Sequence, residues 1–246
     1  MTMKKRFIVL AAVLLVAGSL QAFAAQDPVT VKGDVVTYDS KTGEAVVTGR
    51  AVISRPDATV SGDKAVYNMK SGDGEISGHG VAKRGEVGLT APRLLIKNKG
   101  ETMLATGNAV LTRGQDRLAA PSISYFSTEE RAITSGGRAR LDSAEGLLLA
   151  DVVESFLKDS RAVANGNVYI KSEPRKLEAT SDRADYQGAT ADKRAEVVLV
   201  GNARAVQDGN VLTGNQLIMS LDDRTSEAEG NAKLVITPKP AAKKEG

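Results

Sequence analysis

The sequence predicts an all-β chain, an elongated antiparallel two-sheet sandwich or open β-jelly-roll, assembled from about seven two-strand repeats of 29 or more residues. Three observations predict it. Glycines recur at Gly49, Gly78, Gly107, Gly136, Gly166, Gly201 and Gly230, spaced by 29, 29, 29, 30, 35 and 29 residues. A second landmark precedes each of them: Gly33, Gly62, Ala91, Ala120, Ala150, Ser181 and Gly214. It lies 16 residues upstream in every unit but the sixth, where it lies 20 upstream, and the next residue is always Asp, Pro or Asn. Between landmarks, apolar and polar residues alternate with a period of two, which is the strand pattern and not the helical one.

The first element of each unit follows the first landmark. Three residues on stand Val36, Ala65, Leu94, Ile123, Val153, Ala184 and Leu217; five on stand Tyr38, Tyr67, Ile96, Tyr125, Ser155, Tyr186 and Met219. Side chains two apart on a strand share a face, so these columns point inward together. The column between landmark and core (Val35, Lys64, Arg93, Ser122, Val152, Arg183, Gln216) faces water. The second element brackets the central glycine, with Val47, Ile76, Ala105, Thr134, Ala164, Leu199 and Ala228 before it. After it come Ile53, Ala82, Leu111, Arg140, Ile170, Ala205 and Leu234.

The connections are short and turn-like, for example KSGDGE within a unit and RPDA between units, as hairpins require. The alternation changes parity at each landmark, which calls for a bulge or bend. A strand bent once per repeat serves two facing sheets. A parallel β-helix with coils of this length is the rival reading, disfavoured by the hairpin-type loops.

The inward columns carry many Ala, Gly, Ser and Thr, and beyond residue 24 only Phe126 and Phe156 supply phenylalanine. Two readings follow: a thin sandwich whose sheets approach closely, or a gap filled by an apolar guest such as lipid chains. The tyrosine column is either a ligand-lining ladder or ordinary packing with a hydroxyl reaching out. In the fourth unit, Arg138 and Arg140 fall in inward columns. Either they meet anionic groups inside, or a one-residue slip at Gly136-Gly137 turns them out and Ala139 and Leu141 in.

Lys4, Lys5 and Arg6, the apolar stretch Phe7 to Leu20 and the small-x-small triplet Ala22-Phe23-Ala24 predict a signal peptide over 1–24. That leaves one β-repeat domain over 25–236 and a proline- and lysine-bearing disordered tail over 237–246. The 33 basic and 30 acidic residues become equal in number once the three n-region cations are removed, which argues against a nucleic-acid partner. The chain has no cysteine and one histidine, His79, so a thiolate or multi-histidine metal site is excluded, and Asp34, Asp63, Asp151 and Asp182 fall one per repeat, not in a calcium-binding cluster. No nucleophile elbow, P-loop or dinucleotide fingerprint is present, and we expect no cofactor and no catalysis.

Two recurring segments carry a family resemblance. Gly62-Asp63-Lys64-Ala65-Val66-Tyr67 returns as Ser181-Asp182-Arg183-Ala184-Asp185-Tyr186, and Gly107-Asn108-Ala109 returns at Gly201-Asn202-Ala203 and Gly230-Asn231-Ala232. Over about residues 30 to 236 the chain resembles the OstA-like, LptA-type lipopolysaccharide-transport proteins. The resemblance implies an open antiparallel β-jelly-roll in the periplasm that holds lipopolysaccharide by its acyl chains. It implies partners of the same fold, an inner-membrane anchor and an outer-membrane translocon, and head-to-tail assembly. Seven regular units are more than the simplest bridge protein of that kind needs. The lining set expected for such a groove is Val36, Tyr38, Ala65, Tyr67, Leu94, Ile96, Leu111, Ile123, Tyr125, Val153, Ile170 and Leu217.

Overall fold

The computed structural model describes residues 28–190, 194–223 and 225–237, so the expected signal peptide and nearly all of the expected tail lie outside the described residues. Within them the chain is an antiparallel meander of hairpins. The strands are β1 (Thr30–Lys32), β2 (Val35–Asp39), β3 (Glu44–Ser54), β4 (Ala58–Asn68), β5 (Gly74–Arg84), β6 (Val87–Lys97), β7 (Thr102–Arg113) and β8 (Asp116–Phe126). They continue as β9 (Arg131–Ser135), β10 (Ala139–Ser143), β11 (Gly146–Ala150), β12 (Val152–Phe156), β13 (Arg161–Ser172) and β14 (Leu177–Gln187). The last are β15 (Glu196–Gln207), β16 (Asn210–Ser220), β17 (Ser226–Glu229) and β18 (Lys233–Val235). Four pairs are halves of one bent strand: β1 with β2, β9 with β10, β11 with β12, and β17 with β18. Each half pairs with a different half of the same neighbour. The chain thus makes fourteen bent strands, two per repeat, and their halves build the two sheets of an open jelly-roll.

The bend is a two-residue device. At all seven central glycines, the glycine and its successor both have positive φ: Gly78 (72°) with His79 (47°), Gly201 (78°) with Asn202 (47°), and likewise in the other units. Two residues then oppose one on the next strand, so the register shifts between Ser77 and Gly80 against Arg93 and Ala91. Such a bulge bends and twists the strand. The landmark Asp, Pro or Asn of the preceding strand packs under the corner. A Cβ on Gly78 would sit 2.2 Å from Asp63 Oδ2, and one on Gly201 would sit 2.4 Å from Asp182 Oδ2. The corner side chains then bond that carboxylate: His79 Nδ1 lies 3.0 Å from Asp63, Asn167 Nδ2 donates to Asp151 at 2.7 Å, and Asn202 Nδ2 to Asp182 at 2.9 Å. His79 is therefore a corner residue, exposed to water.

Beside the corners the core is closed. One cross-strand row runs Val47, Ala65, Ile76, Leu94, Ala105, Ile123, Thr134, Val153, Ala164, Ala184, Leu199 and Leu217, each at most 2% exposed. Large residues (Ile76, Leu94, Ile123, Leu199, Leu217) and small ones (Ala65, Ala105, Ala164, Ala184) share this row, and their near-zero exposure marks it as filled. Where β9 and β12 part, the buried Thr134 hydroxyl accepts the Val153 N–H at 2.8 Å and replaces a ladder bond.

The fourth unit adopts the slipped register. Ala139 is fully buried and Leu141 packs on the core. Arg138 and Arg140 point to water, Arg138 donating to the Asn167 carbonyl at 3.1 Å and Arg140 pairing with Asp142. The extra glycine of Gly136-Gly137 supplies the one residue that shifts the faces. We predict that Gly209→Ala, at a turn glycine (φ 86°) with open space around it, costs about 1–2 kcal/mol from left-handed strain alone. Gly201→Ala should cost clearly more, because its methyl must also displace Asp182. Urea unfolding of both variants checks this, and equal costs would refute the role given to the corner.

Candidate functional site

Two further inward rows lie away from the corners, one on each sheet. On the first sheet the pairing sets Tyr125 against Ala132, Ala132 against Ser155, Ser155 against Ala162, and Ala162 against Tyr186. Three small side chains therefore stand in succession between two tyrosines. On the facing sheet the corresponding row is bulky and aliphatic: Leu111, Leu118, Leu141, Leu148 and Ile170. A row of large side chains faces a row of small ones, and the small row lacks the volume to fill the gap. The result is a cavity of about 470 Å³ in the middle of the chain. That volume is in the range of small-ligand sites. Leu177, Ala184, Val197 and Leu221 complete its apolar wall.

The rim is polar and of mixed sign. Arg113, Arg161, Lys171 and Arg175 stand there with Glu86, Asp116 and Glu145. Arg161 lies 5.0 Å over the Phe156 ring and pairs with Asp185 at 3.0 Å. Burial pushes the Tyr186 phenol above its ordinary pKa, and Glu145 adds to the shift, so its hydroxyl keeps its proton at neutral pH. One wall group is unmatched: the Ser172 hydroxyl is buried with no hydrogen-bond partner. Among the described residues no cluster of His, Asp and Glu is arranged to hold a metal ion.

The expected lining residues fall into four places. Leu111 and Ile170 border the cavity. Tyr67 and Ile96 border a second recess of about 40 Å³, near Arg55. Ala65, Leu94, Ile123, Tyr125, Val153 and Leu217 are each at most 2% exposed within closed packing. Val36 and Tyr38 stand on β2, 46% and 54% exposed, because no strand lies outside β2 to cover them. Sequence reasoning placed Ser155 in the tyrosine column without marking it, although it is the one small residue in a column of Tyr, Ile and Met. That break was the available signal. Leu148, Leu177 and Ser172 left no signal of their own, since each becomes part of a wall only through the facing sheet.

A sequence profile described as the LptA/(LptD N-terminal domain) LPS transport protein family matches residues 88–225, more than half of the chain. The chain belongs to this family. The matched span holds the whole cavity wall except Glu86. No curated protein sequence matches. Among solved structures, LptH of Pseudomonas aeruginosa, the LptA-homologous periplasmic component of the lipopolysaccharide transport device, aligns over 86% of this chain and 96% of its own. The identity is 12% and the TM-score 0.17, a superposition too loose to carry geometry across.

If the small row makes the cavity, filling it should close it. Ser155→Leu is expected to stabilise this LptA/LptD-type chain by about 0.5–2 kcal/mol and to cut uptake of an acyl-chain probe. Thermal unfolding and fluorescence titration with labelled lipid A check both effects. A destabilised variant with normal uptake would place the open volume elsewhere.

Proposed function

We propose that this chain is a non-catalytic periplasmic carrier that shelters acyl chains of lipopolysaccharide in the central cavity and links inner- to outer-membrane components of the same fold. The observation that carries the reading is the mismatch of rows, an aliphatic wall facing Ala and Ser across an open volume, in a member of a lipopolysaccharide-transport family. Burial of methylenes yields about 0.8 kcal/mol each, so one acyl chain repays a good part of its immobilisation. The mixed-sign rim is no cationic clamp. Recognition then rests on the acyl part, and the sugars stay in water, as suits a cargo that must be handed on. Lining is assigned first to Leu111 and Ile170 with their neighbours. The closed positions Leu94 and Ile123 belong to the buried corner row beside it.

The end strands support the linking role. Every residue of β2 is exposed, as are all three of β18, and their outer edges have no partner among the described residues. Such edges pair readily with another sheet. Val36 and Tyr38 at one end and Leu234 at the other would be covered by a neighbouring jelly-roll docked head to tail. Val36→Glu with Tyr38→Glu should leave the fold intact and weaken self-association, read by light scattering and cross-linking; undiminished association would count against this edge.

The carrier reading itself is tested by mass spectrometry of organic extracts of the chain, purified from an envelope fraction and then challenged with lipopolysaccharide. Lipid A-type species are expected in stoichiometric amount. Leu148→Asp should abolish capture with the corner core still folded, and a wild-type chain free of lipid before and after the challenge would overturn the reading.

A further inference from the structure

The two sheets join at the corners and part on the opposite side, where the turns of one sheet face the turns of the other. Three arginines cross this seam. Arg55, at the turn after β3, donates from Nη1 to the Lys99 carbonyl and from Nη2 to the Tyr67 hydroxyl at 2.8 Å. Arg113, at the end of β7, donates from Nη1 to the Leu157 carbonyl. Arg175, at the turn after β13, donates from Nε to the Leu221 carbonyl at 3.1 Å and pairs through Nη1 with Glu145. The acceptors follow their donors by 44, 44 and 46 residues. A column tyrosine follows each arginine by 12, 12 and 11 residues: Tyr67, Tyr125 and Tyr186. The two intervening turns behave differently: Arg84 pairs with Asp57, and Glu145 pairs with Arg175. The seam is thus tied at every second repeat, in register with the tyrosines.

The second and third ties stand at the cavity. Arg113, Leu157, Arg175 and Leu221 all line it, and between them the rim combines the small turn residues Gly114, Ala144 and Gly146 with Asp116 and Glu145. Along the length of the molecule the cavity is stopped by closed packing, with Tyr125 and Ile123 on one side and Leu199 and Met219 on the other, none more than 3% exposed. A sugar-bearing headgroup cannot cross such a core, because its hydroxyls and phosphates would lose water without replacement. The seam is where the cavity meets solvent. Each tie is a guanidinium–carbonyl bond whose two partners rehydrate when it opens, so opening is reversible. The unpartnered Ser172 hydroxyl lies in the wall just before Arg175, where an ester or amide carbonyl at the junction of head and chain would accept its proton.

We propose that Arg55, Arg113 and Arg175 are latches on the seam, and that the stretch between Arg113 and Arg175 is a lateral portal for the acyl chain of an amphiphile. The chain swings in sideways while the headgroup stays in water. This rests on the carrier reading and adds the route by which the cavity is loaded.

The absence of cysteine makes the test clean. Gln115→Cys with Lys158→Cys places one thiol on each side of the seam beside the Arg113 latch, to be bridged by a short bis-maleimide. The control is the same double variant capped with N-ethylmaleimide. Uptake of lipid A carrying a fluorescent acyl chain is followed by stopped flow. The bridged chain should load at least tenfold more slowly than the capped one. Arg113→Ala should speed both uptake and release by about ten- to a hundred-fold, with Kd changing far less than either rate and Arg113→Lys falling between. Loading of the bridged chain at the capped rate would overturn the portal and leave the carrier standing. A capped chain that takes up no probe would overturn both.

Discussion

The structure depends on one backbone constraint, the pair of left-handed residues at each central glycine. At these corners the first residue of the pair must be glycine, because the landmark Asp, Pro or Asn of the previous strand fills the space that a Cβ would need. Because the device recurs once per repeat, every strand contributes to both sheets, and the corners stack into a closed spine. The side opposite is left as a line of turns.

From that geometry the interior divides by distance from the spine. Near the corners the sheets are close, and Ala, Gly and Val are large enough to fill the space against Leu and Ile. Farther out they diverge, and filling requires Tyr, Ile, Met or Leu on at least one side. Units with Tyr67, Ile96 and Tyr125 meet that requirement. The run Ala132, Ser155, Ala162 does not, and the cavity opens there. A chamber whose walls are rigid sheets keeps its volume, because closing it would shear fourteen bonded strands. The proposed apolar guest would relieve the wetting of its aliphatic wall.

The same divergence shapes the seam. Turns that face each other across a gap cannot form a ladder, so the only chain groups able to span it are long side chains reaching carbonyls. Arginine does this with several donors at once and keeps its charge at the wet rim. On the proposed carrier reading, a closed spine and a tied but unladdered seam would give one permanent wall and one reversible wall, as loading and release would require.

The sequence by itself determined the repeats, the bent strands and the two sheets. Period-two alternation and recurring glycines report local backbone geometry, and local geometry is written in neighbouring residues. It also separated the inward columns from the outward ones, except in the fourth unit, where Gly136-Gly137 shifts the faces by one and only pairing with β8 decides that Arg138 and Arg140 turn out. The tertiary structure alone decided which inward residues close the core and which border open space. Occupancy of the interior is the sum of two facing rows, and the residues of those rows lie several strands apart in the chain. The partners across the seam were likewise undecided, since a spacing of 44 or 46 residues acquires meaning only once the twist of the stacked strands brings those turns together.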